Sequence, residues 1–318
     1  MGFTEFLGLL GGLALFLYGM QMMSAGLEEA AGDKMKRILE RLTTNRFLGV
    51  LVGAVVTAAI QSSSATTVMT VGFVNSGFMS LKQAVWVIMG ANIGTTITGQ
   101  LIALDVGYFA PLVIFIGVIL AVFIKSPKLK IIGKILIGFG LLFVGLDIMS
   151  QSMAPLRKSE EFVSLMTKFS NPFIAIVTGA LFTAVIQSSS ASVGILQTLA
   201  SSGLISFHNS VFVLFGQNIG TCITAVIASL GANRSAKRTT AVHLIFNVLG
   251  TLIFTAACFL LPVENWVASI TPRDIAQQIA NMHTVFNVTT TILLLPFGGH
   301  LAKLTEKLLP EKKEKETA

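Results

Sequence analysis

The sequence predicts an all-α integral membrane protein built from two inverted repeats. Each repeat holds a transmembrane helix, a re-entrant helical hairpin, an interrupted helix and a further transmembrane helix. Three observations carry this reading. Hydrophobic residues make up 53% of the chain, only 12% are charged, and mean hydropathy is +0.79. Several apolar runs reach the roughly 20 residues that span a bilayer. The tetrapeptide Gln-Ser-Ser-Ser occurs at Gln61–Ser64 and again at Gln187–Ser190, and its surroundings repeat without a gap. Gly90-Ala-Asn-Ile-Gly-Thr-Thr-Ile-Thr likewise returns as Gly216-Gln-Asn-Ile-Gly-Thr-Cys-Ile-Thr, and Gly12 and Gly19 return as Gly138 and Gly145.

The first helix is expected over residues 6–26, and Glu5 with no basic leader argues against a cleaved signal peptide. A charged amphipathic segment follows, Glu28 to Arg46. The apolar stretch 47–78 is broken at its middle by Gln-Ser-Ser-Ser. Each half is too short to cross ~30 Å at 1.5 Å per residue, so a hairpin with its tip at mid-membrane is predicted. Non-helical backbone at that depth needs protein or a wet cavity around it. Residues 81–104 are expected to form a helix interrupted at Asn92-Ile-Gly-Thr, and 108–124 a plain helix. The second copy predicts a helix at 131–152, a connecting segment at 153–172 and a hairpin at 173–203. An interrupted helix at 207–230 and a plain helix at 239–260 follow. A last helix, 276–300, closes the chain. The domain division is residues 1–126 and 127–262 for the repeats, 263–303 for the additional helix and 304–318 for a basic cytoplasmic tail.

With the N-terminus outside, 18 of the 22 Lys and Arg residues fall on the inner side. Only Arg157, Lys158, Lys168 and Arg273 fall outside. Basic residues favour the cytoplasmic side, so the C-terminus is expected in the cytoplasm and the protein in the cell (inner) membrane. Three crossings separate equivalent points of the two copies, which makes the copies inverted. Inverted repeats with broken helices meeting at the midplane mark secondary transporters. The net charge of +7 is the flanking of membrane helices, and nucleic acid is not an expected partner. Cys222 and Cys258 sit apart in apolar segments and form no ligand cluster.

The breaks supply the chemistry. Helix N-termini offer unpaired N–H groups and about half a unit of positive charge, which suits an oxyanion. Hydroxyls near them add donors: Ser62, Ser63, Ser64, Thr66 and Thr95 in the first copy, Ser188, Ser189, Ser190, Ser192 and Thr221 in the second. The half-helices ending at Ile60, Gly90, Ile186 and Gly216 are expected to leave free carbonyls. With Gln61, Gln187, Asn92, Asn218, Thr96, Thr98 and Thr224 these suit a hard cation such as sodium. No Arg, Lys, Asp or Glu stands beside either motif. Anion charge must then be met by helix ends and co-bound cations, and a proton relay lacks its carboxylate. Ser and Gln also glue membrane helices together, but two copies in one register, each with its Asn-Ile-Gly-Thr, speak for a site.

His243-Leu-Ile-Phe-Asn247 and His283-Thr-Val-Phe-Asn287 share a His-x-x-Phe-Asn pattern, which serves either helix packing or the transport pathway. Asp147 maps onto Gln21 and is expected near the outer end of its helix. Asp105 reads as a loop-end residue and Met20–Met23 as core filler. No hydrolase or ATPase motif is present, so the chain is not read as an enzyme.

The doubled Gln-Ser-Ser-Ser, each copy followed by Gly-x-Asn-Ile-Gly-Thr, resembles the type II sodium/phosphate cotransporter family in a short bacterial form, over about residues 6–300. The resemblance implies sodium-driven uptake of inorganic phosphate, mainly HPO4 2−, by alternating access. Sodium ions would be co-substrates, no cofactor would be needed, and a homodimer is compatible. The family's motif residues carry over onto Gln61–Ser64, Gln187–Ser190, Asn92 and Asn218, and its His-x-x-Phe-Asn-like pattern onto His243–Asn247. Animal members carry that pattern after the first interrupted helix too, where this chain has Asp105-Val-Gly-Tyr-Phe-Ala-Pro. Independently of any resemblance, importing a dianion against 100 mV costs about 4.6 kcal/mol, which two sodium ions cancel. A sodium-coupled carrier of sulfate or a dicarboxylate, an anion channel and a membrane scaffold are the other readings.

Overall fold

The computed structural model describes residues 2–41, 45–104, 106–159 and 170–310. Asp105, the middle of the 153–172 connection and the end of the tail lie outside them. The helices are α1 (Phe3–Arg41), α2 (Arg46–Ile60), α3 (Ser63–Asn75), α4 (Leu81–Ala103), α5 (Ala110–Val118), α6 (Pro127–Met153) and α7 (Pro172–Ile186). They continue as α8 (Ser189–Ser201), α9 (Phe207–Gly220), α10 (Cys222–Ala228), α11 (Arg234–Leu260), α12 (Val263–Ile270), α13 (Ile275–Leu294) and α14 (Gly298–Leu308). Six of the helical segments are long and apolar enough to cross a bilayer. The chain is a multi-pass, all-helical membrane protein.

Both hairpins form where the sequence places them. Asn45 and Asn171 cap α2 and α7 with their side chains, at equivalent positions. Gln61 and Gln187 end these helices in the left-handed conformation, at φ 55° and 58°. They are the only non-glycine residues with positive φ among the described residues. Ser62 and Ser188 then cap α3 and α8, accepting from Ala65 N at 3.1 Å and Ala191 N at 3.2 Å. At 15 and 13 residues, α2 and α3 extend about 22 and 20 Å. Neither crosses a bilayer alone.

Glycines fix how each hairpin sits. A β-carbon on Gly53 would strike the Val87 carbonyl, one on Gly90 the Val50 carbonyl, and one on Gly94 the Ala54 carbonyl. The second copy repeats this with Gly179 on Val213, Gly216 on Ile176 and Gly220 on Ala180. From Gly49 on Trp86 to Thr57 on Gly94, and from Ile176 on Gly216 to Thr183 on Gly220, numbers rise together on both helices, so α2 is parallel to α4 and α7 to α9. The chain must reverse between them, as a re-entrant hairpin does. Phe47, Leu51 and Val55 on α2, and Phe173, Val177 and Leu181 on α7, face outward where lipid would lie.

The equivalent helices α1 and α6 meet differently. A β-carbon on Gly12 would come 2.8 Å from the Gly145 carbonyl oxygen, and Gly19 lies against Gly138 in the same way. Numbers rise on one and fall on the other, so these equivalent helices run antiparallel. Small residues permit this close approach in a membrane, where packing rather than the hydrophobic effect drives association.

Four expectations need correction. The first helix does not stop at residue 26 but runs through the charged segment to Arg41. The helix expected to break at Asn92 runs unbroken from Leu81 to Ala103. Its polar residues bond back to their own turn: Asn92 Nδ2 to Ile88 O at 2.9 Å and Thr95 Oγ1 to Ala91 O at 2.9 Å. In the second copy the break is the single residue Thr221, with near-helical φ −55° and ψ −27°. Its N–H still donates to Gln217 O. Gly90 and Gly216 therefore end no helix, and their carbonyls are not freed. Finally, the last helix is divided by a 3-10 turn at Leu295–Phe297, which contains Pro296, and α14 extends into the region assigned to the tail.

Gly90→Ala should destabilise the protein by ~1–3 kcal/mol or more, because the clash is with backbone rather than a movable side chain; thermal melting in detergent measures it. At Gln187, which is exposed, glycine removes a left-handed cost of about 1–2 kcal/mol. Gln187→Gly should therefore melt at or above the wild-type temperature, and Gln187→Val, β-branched at positive φ, clearly below it.

Candidate functional site

The two hairpin tips meet. Ser63 Oγ and Ser189 Oγ, equivalent residues 126 apart, lie 3.5 Å from each other and are both buried. Two equivalent residues in contact mark the point where the two copies face one another. Capping by Ser62 and Ser188 satisfies the third N–H of each half-helix. The N–H groups of Ser63 and Ser64, and of Ser189 and Ser190, have no intrahelical partner. With the hydroxyls of Ser63, Ser64, Ser189 and Ser190 they form a set of neutral donors at two converging positive helix ends. The half-helices start at Ser63 and Ser189.

Several candidate hydroxyls are already engaged. Thr66 Oγ1 donates to Ser62 O at 3.2 Å and accepts from Thr57 Oγ1 at 2.9 Å. Ser192 Oγ donates to Ser188 O at 2.9 Å. Thr96, Thr221 and Thr224 bond to carbonyls of their own helices, as Thr95 does. Without a helix break at Asn92, Thr95 loses the anion-binding N-terminus expected beside it, and Thr221, at the start of the short α10, makes no side-chain cap and returns its hydroxyl to Gln217 O. The structure gathers the donor set at the hairpin tips alone.

The amide side chains divide by copy. Gln61 is buried, donates to Ala58 O and accepts from Thr98 Oγ1 at 2.8 Å. That contact fastens the first tip to α4. Gln187 is exposed, and Thr224, the counterpart of Thr98, turns instead to Thr221 O. The repeats are alike in backbone and unlike in this bond. Asn92 and Asn218 both direct Nδ2 to their own helix, at Ile88 O and Leu214 O. Asn218 Oδ1 faces α13 and receives His283 Nε2 and Asn287 Nδ2, each at 3.4 Å. Asn247 on α11 donates to Cys222 Sγ at 3.3 Å. Asn247, His283 and Asn287 are thus brought beside the second Asn-Ile-Gly-Thr, with His243 one turn before Asn247, and all four are buried.

The sequence reading missed Gln217, which stands where the first copy has Ala91. Its Nε2 donates to Ser192 O at 3.0 Å and ties α9 to the second hairpin. The signal was available as a polar residue breaking the repeat. It also missed Gln197, whose Nε2 bridges Gly99 O and Ala276 O at 3.0 Å each. Gln197 lines a 900 Å³ cleft with Asp147, Ser150, Arg273 and Asp274, away from the tips. Among the described residues no group of three or more His, Cys, Asp or Glu could hold a metal ion.

The chain is 34% identical over 301 residues to "Uncharacterized protein YqeW" of Bacillus subtilis, covering 94% of this chain and 97% of that protein. It is 28% identical over 312 residues to "Putative inorganic phosphate export protein YjbB" of Escherichia coli K12, spanning 98% of this chain but 57% of that protein. A 105-residue stretch, 32% of this chain and 15% of the relative, is 36% identical to human "Sodium-dependent phosphate transport protein 2B". No solved structure matches. The Na+/Pi-cotransporter model matches residues 15–151 and 153–269, the greater part of the sequence. The chain belongs to the Na+/Pi-cotransporter family, a family of transporters rather than enzymes.

Proposed function

We propose that this protein is a secondary active transporter that couples sodium to the movement of inorganic phosphate, as HPO4 2−, into the cell. The observation that carries the reading is the meeting of two equivalent helix N-termini at Ser63 and Ser189, with no charged side chain beside either motif. Four backbone N–H groups and four serine hydroxyls suit a tetrahedral oxyanion. The dianion's charge then falls to co-transported cations, held by neutral oxygens such as those of Gln61, Gln187, Asn92 and Asn218. The antiparallel pairing of α1 and α6 supports inverted repeats, with the N-terminus outside and the C-terminus in the cytoplasm. Alternating access would expose the tips to one side and then the other.

Two of the curated relatives' names bear on direction. The Escherichia coli relative is named for phosphate export and the human one for sodium dependence. An inward sodium gradient drives import in a symporter, and import is the reading taken here; sodium-independent export is the second. Purified protein in liposomes should accumulate phosphate when sodium is outside, and not when potassium replaces it. Sodium-independent efflux from phosphate-loaded liposomes would replace this reading by the second. Sulfate and dicarboxylates as competitors test the substrate in the same assay.

Ser63→Ala and Ser189→Ala each remove a donor to a charged ligand, worth about 1.5–3 kcal/mol. Each should weaken apparent phosphate affinity roughly tenfold to a hundredfold with little change in melting temperature. A fall in melting temperature at unchanged affinity would make the tips structural only.

A further inference from the structure

The last long helix stands in the structure where a first-repeat helix is missing. By sequence position α5 is the counterpart of α11, yet α5 packs on α6, with Gly117 against Gly133 and Gly140 against Ala110. The helix that mirrors α11 is α13. Thr251 on α11 donates to Phe215 O at 3.2 Å, and Thr291 on α13 donates to Met89 O at 3.3 Å. Phe215 and Met89 are equivalent positions of the repeat. Phe246 on α11 clusters with Val85, Trp86 and Met89; Phe286 on α13 clusters with Val211, Phe212 and Phe215. These are again equivalent sets. The two His-x-x-Phe-Asn helices are therefore related as the repeats are, and each reaches across to both α4 and α9.

The same atoms are unpartnered on both. His243 Nδ1 and His283 Nδ1, and Asn247 Oδ1 and Asn287 Oδ1, are buried without a hydrogen-bond partner. Asn287 directs its Nδ2 to His283 O and Asn218 Oδ1, and Asn247 its Nδ2 to His243 O and Cys222 Sγ. The amide donors are spent and the carbonyl oxygens are left over. With Nε2 of His283 facing Asn218 Oδ1, a donor to that oxygen, Nδ1 carries the lone pair. What remains is a set of neutral acceptors in an apolar interior, where an unmet acceptor is costly. These oxygens, with the hydroxyls of Thr255 and Thr290 that are also buried without a partner, are neutral ligand atoms with no carboxylate among them, and they suit a hard monovalent cation.

We propose that Asn247 and Asn287 are sodium ligands, one from each half, acting through their side-chain oxygens. This rests on the sodium-coupled reading above and places the ions on α11 and α13 rather than on the serines of the tips. The test uses the purified full chain in detergent without phosphate. Melting temperature is followed as sodium chloride replaces choline chloride at constant ionic strength. Sodium should stabilise the wild type. Asn247→Ala and Asn287→Ala should each raise the half-saturating sodium concentration about tenfold or more. Asn287→Asp keeps an oxygen and adds negative charge, so it should reach half-saturation at a lower sodium concentration than wild type. Thr291→Val, which removes only the bond to Met89 O, should melt lower with the wild-type half-saturation. Wild-type sodium half-saturation in both alanine variants overturns the proposal and leaves phosphate transport through the serine tips standing. No stabilisation of the wild type by sodium overturns it together with sodium coupling. If an alanine variant does not fold, Asn287→Asp decides, and an unchanged half-saturation overturns the assignment.

Discussion

A chain inside hydrocarbon must satisfy its own backbone, and a helix does this everywhere except at its ends. Each hairpin here buries the start of its second helix, at Ser63 and at Ser189. The left-handed glutamine makes this feasible. Gln61 and Gln187 reverse the chain in one residue, at φ 55° and 58°, so that a serine can cap the next helix at once. The carbonyls before the turn and the N–H groups after it stay within a few residues of each other. Non-glycine residues held in that conformation cluster at functional sites. The tip chemistry, the reversal that lets α2 lie parallel to α4, and the meeting of Ser63 with Ser189 all depend on this turn.

The polar side chains divide by what they do for the backbone. Thr66, Thr95, Thr96, Thr221 and Thr224 return their hydroxyls to carbonyls of their own helices. They make a polar helix tolerable in a membrane. Gln61, Gln197 and Gln217 reach between elements and fix their relative positions. Capacity is left unspent at the tip serines, at the asparagines and histidines of α11 and α13, and at the side-chain oxygens of Gln197 and Gln217. The proposed ligand chemistry belongs to the serines and asparagines among them.

Much of this was legible in the sequence. The hairpins were readable because each half is too short to span and the break recurs in register. Equivalence of Gly12 with Gly138 and of Gly19 with Gly145 was also readable. The continuity of α4 was not. Asn-Ile-Gly-Thr resembles a break because Asn, Gly and Thr all favour turns, but Asn92 and Thr95 bond back along the helix and Gly94 serves close packing against Ala54. Nor could the sequence show that α13 mirrors α11, since the repeat in sequence pairs α11 with α5. That pairing appears only through hydrogen bonds such as Thr251 to Phe215 and Thr291 to Met89.

The glycine seams also decide where the molecule can bend. Along α2 and α4, and along α7 and α9, backbone lies directly on backbone with no side chain between. Such a seam has no soft layer to shear, so each hairpin and its neighbouring helix translate as one solid piece. The surface between the two pieces is different. It is crossed by hydroxyl and amide contacts, Ser63 to Ser189 and Gln197 to Gly99 O among them, which water can replace one at a time. A slip plane therefore runs through the tips themselves. Any rearrangement that opened the molecule along this plane would pull the two serine ends apart and so dismantle the donor set.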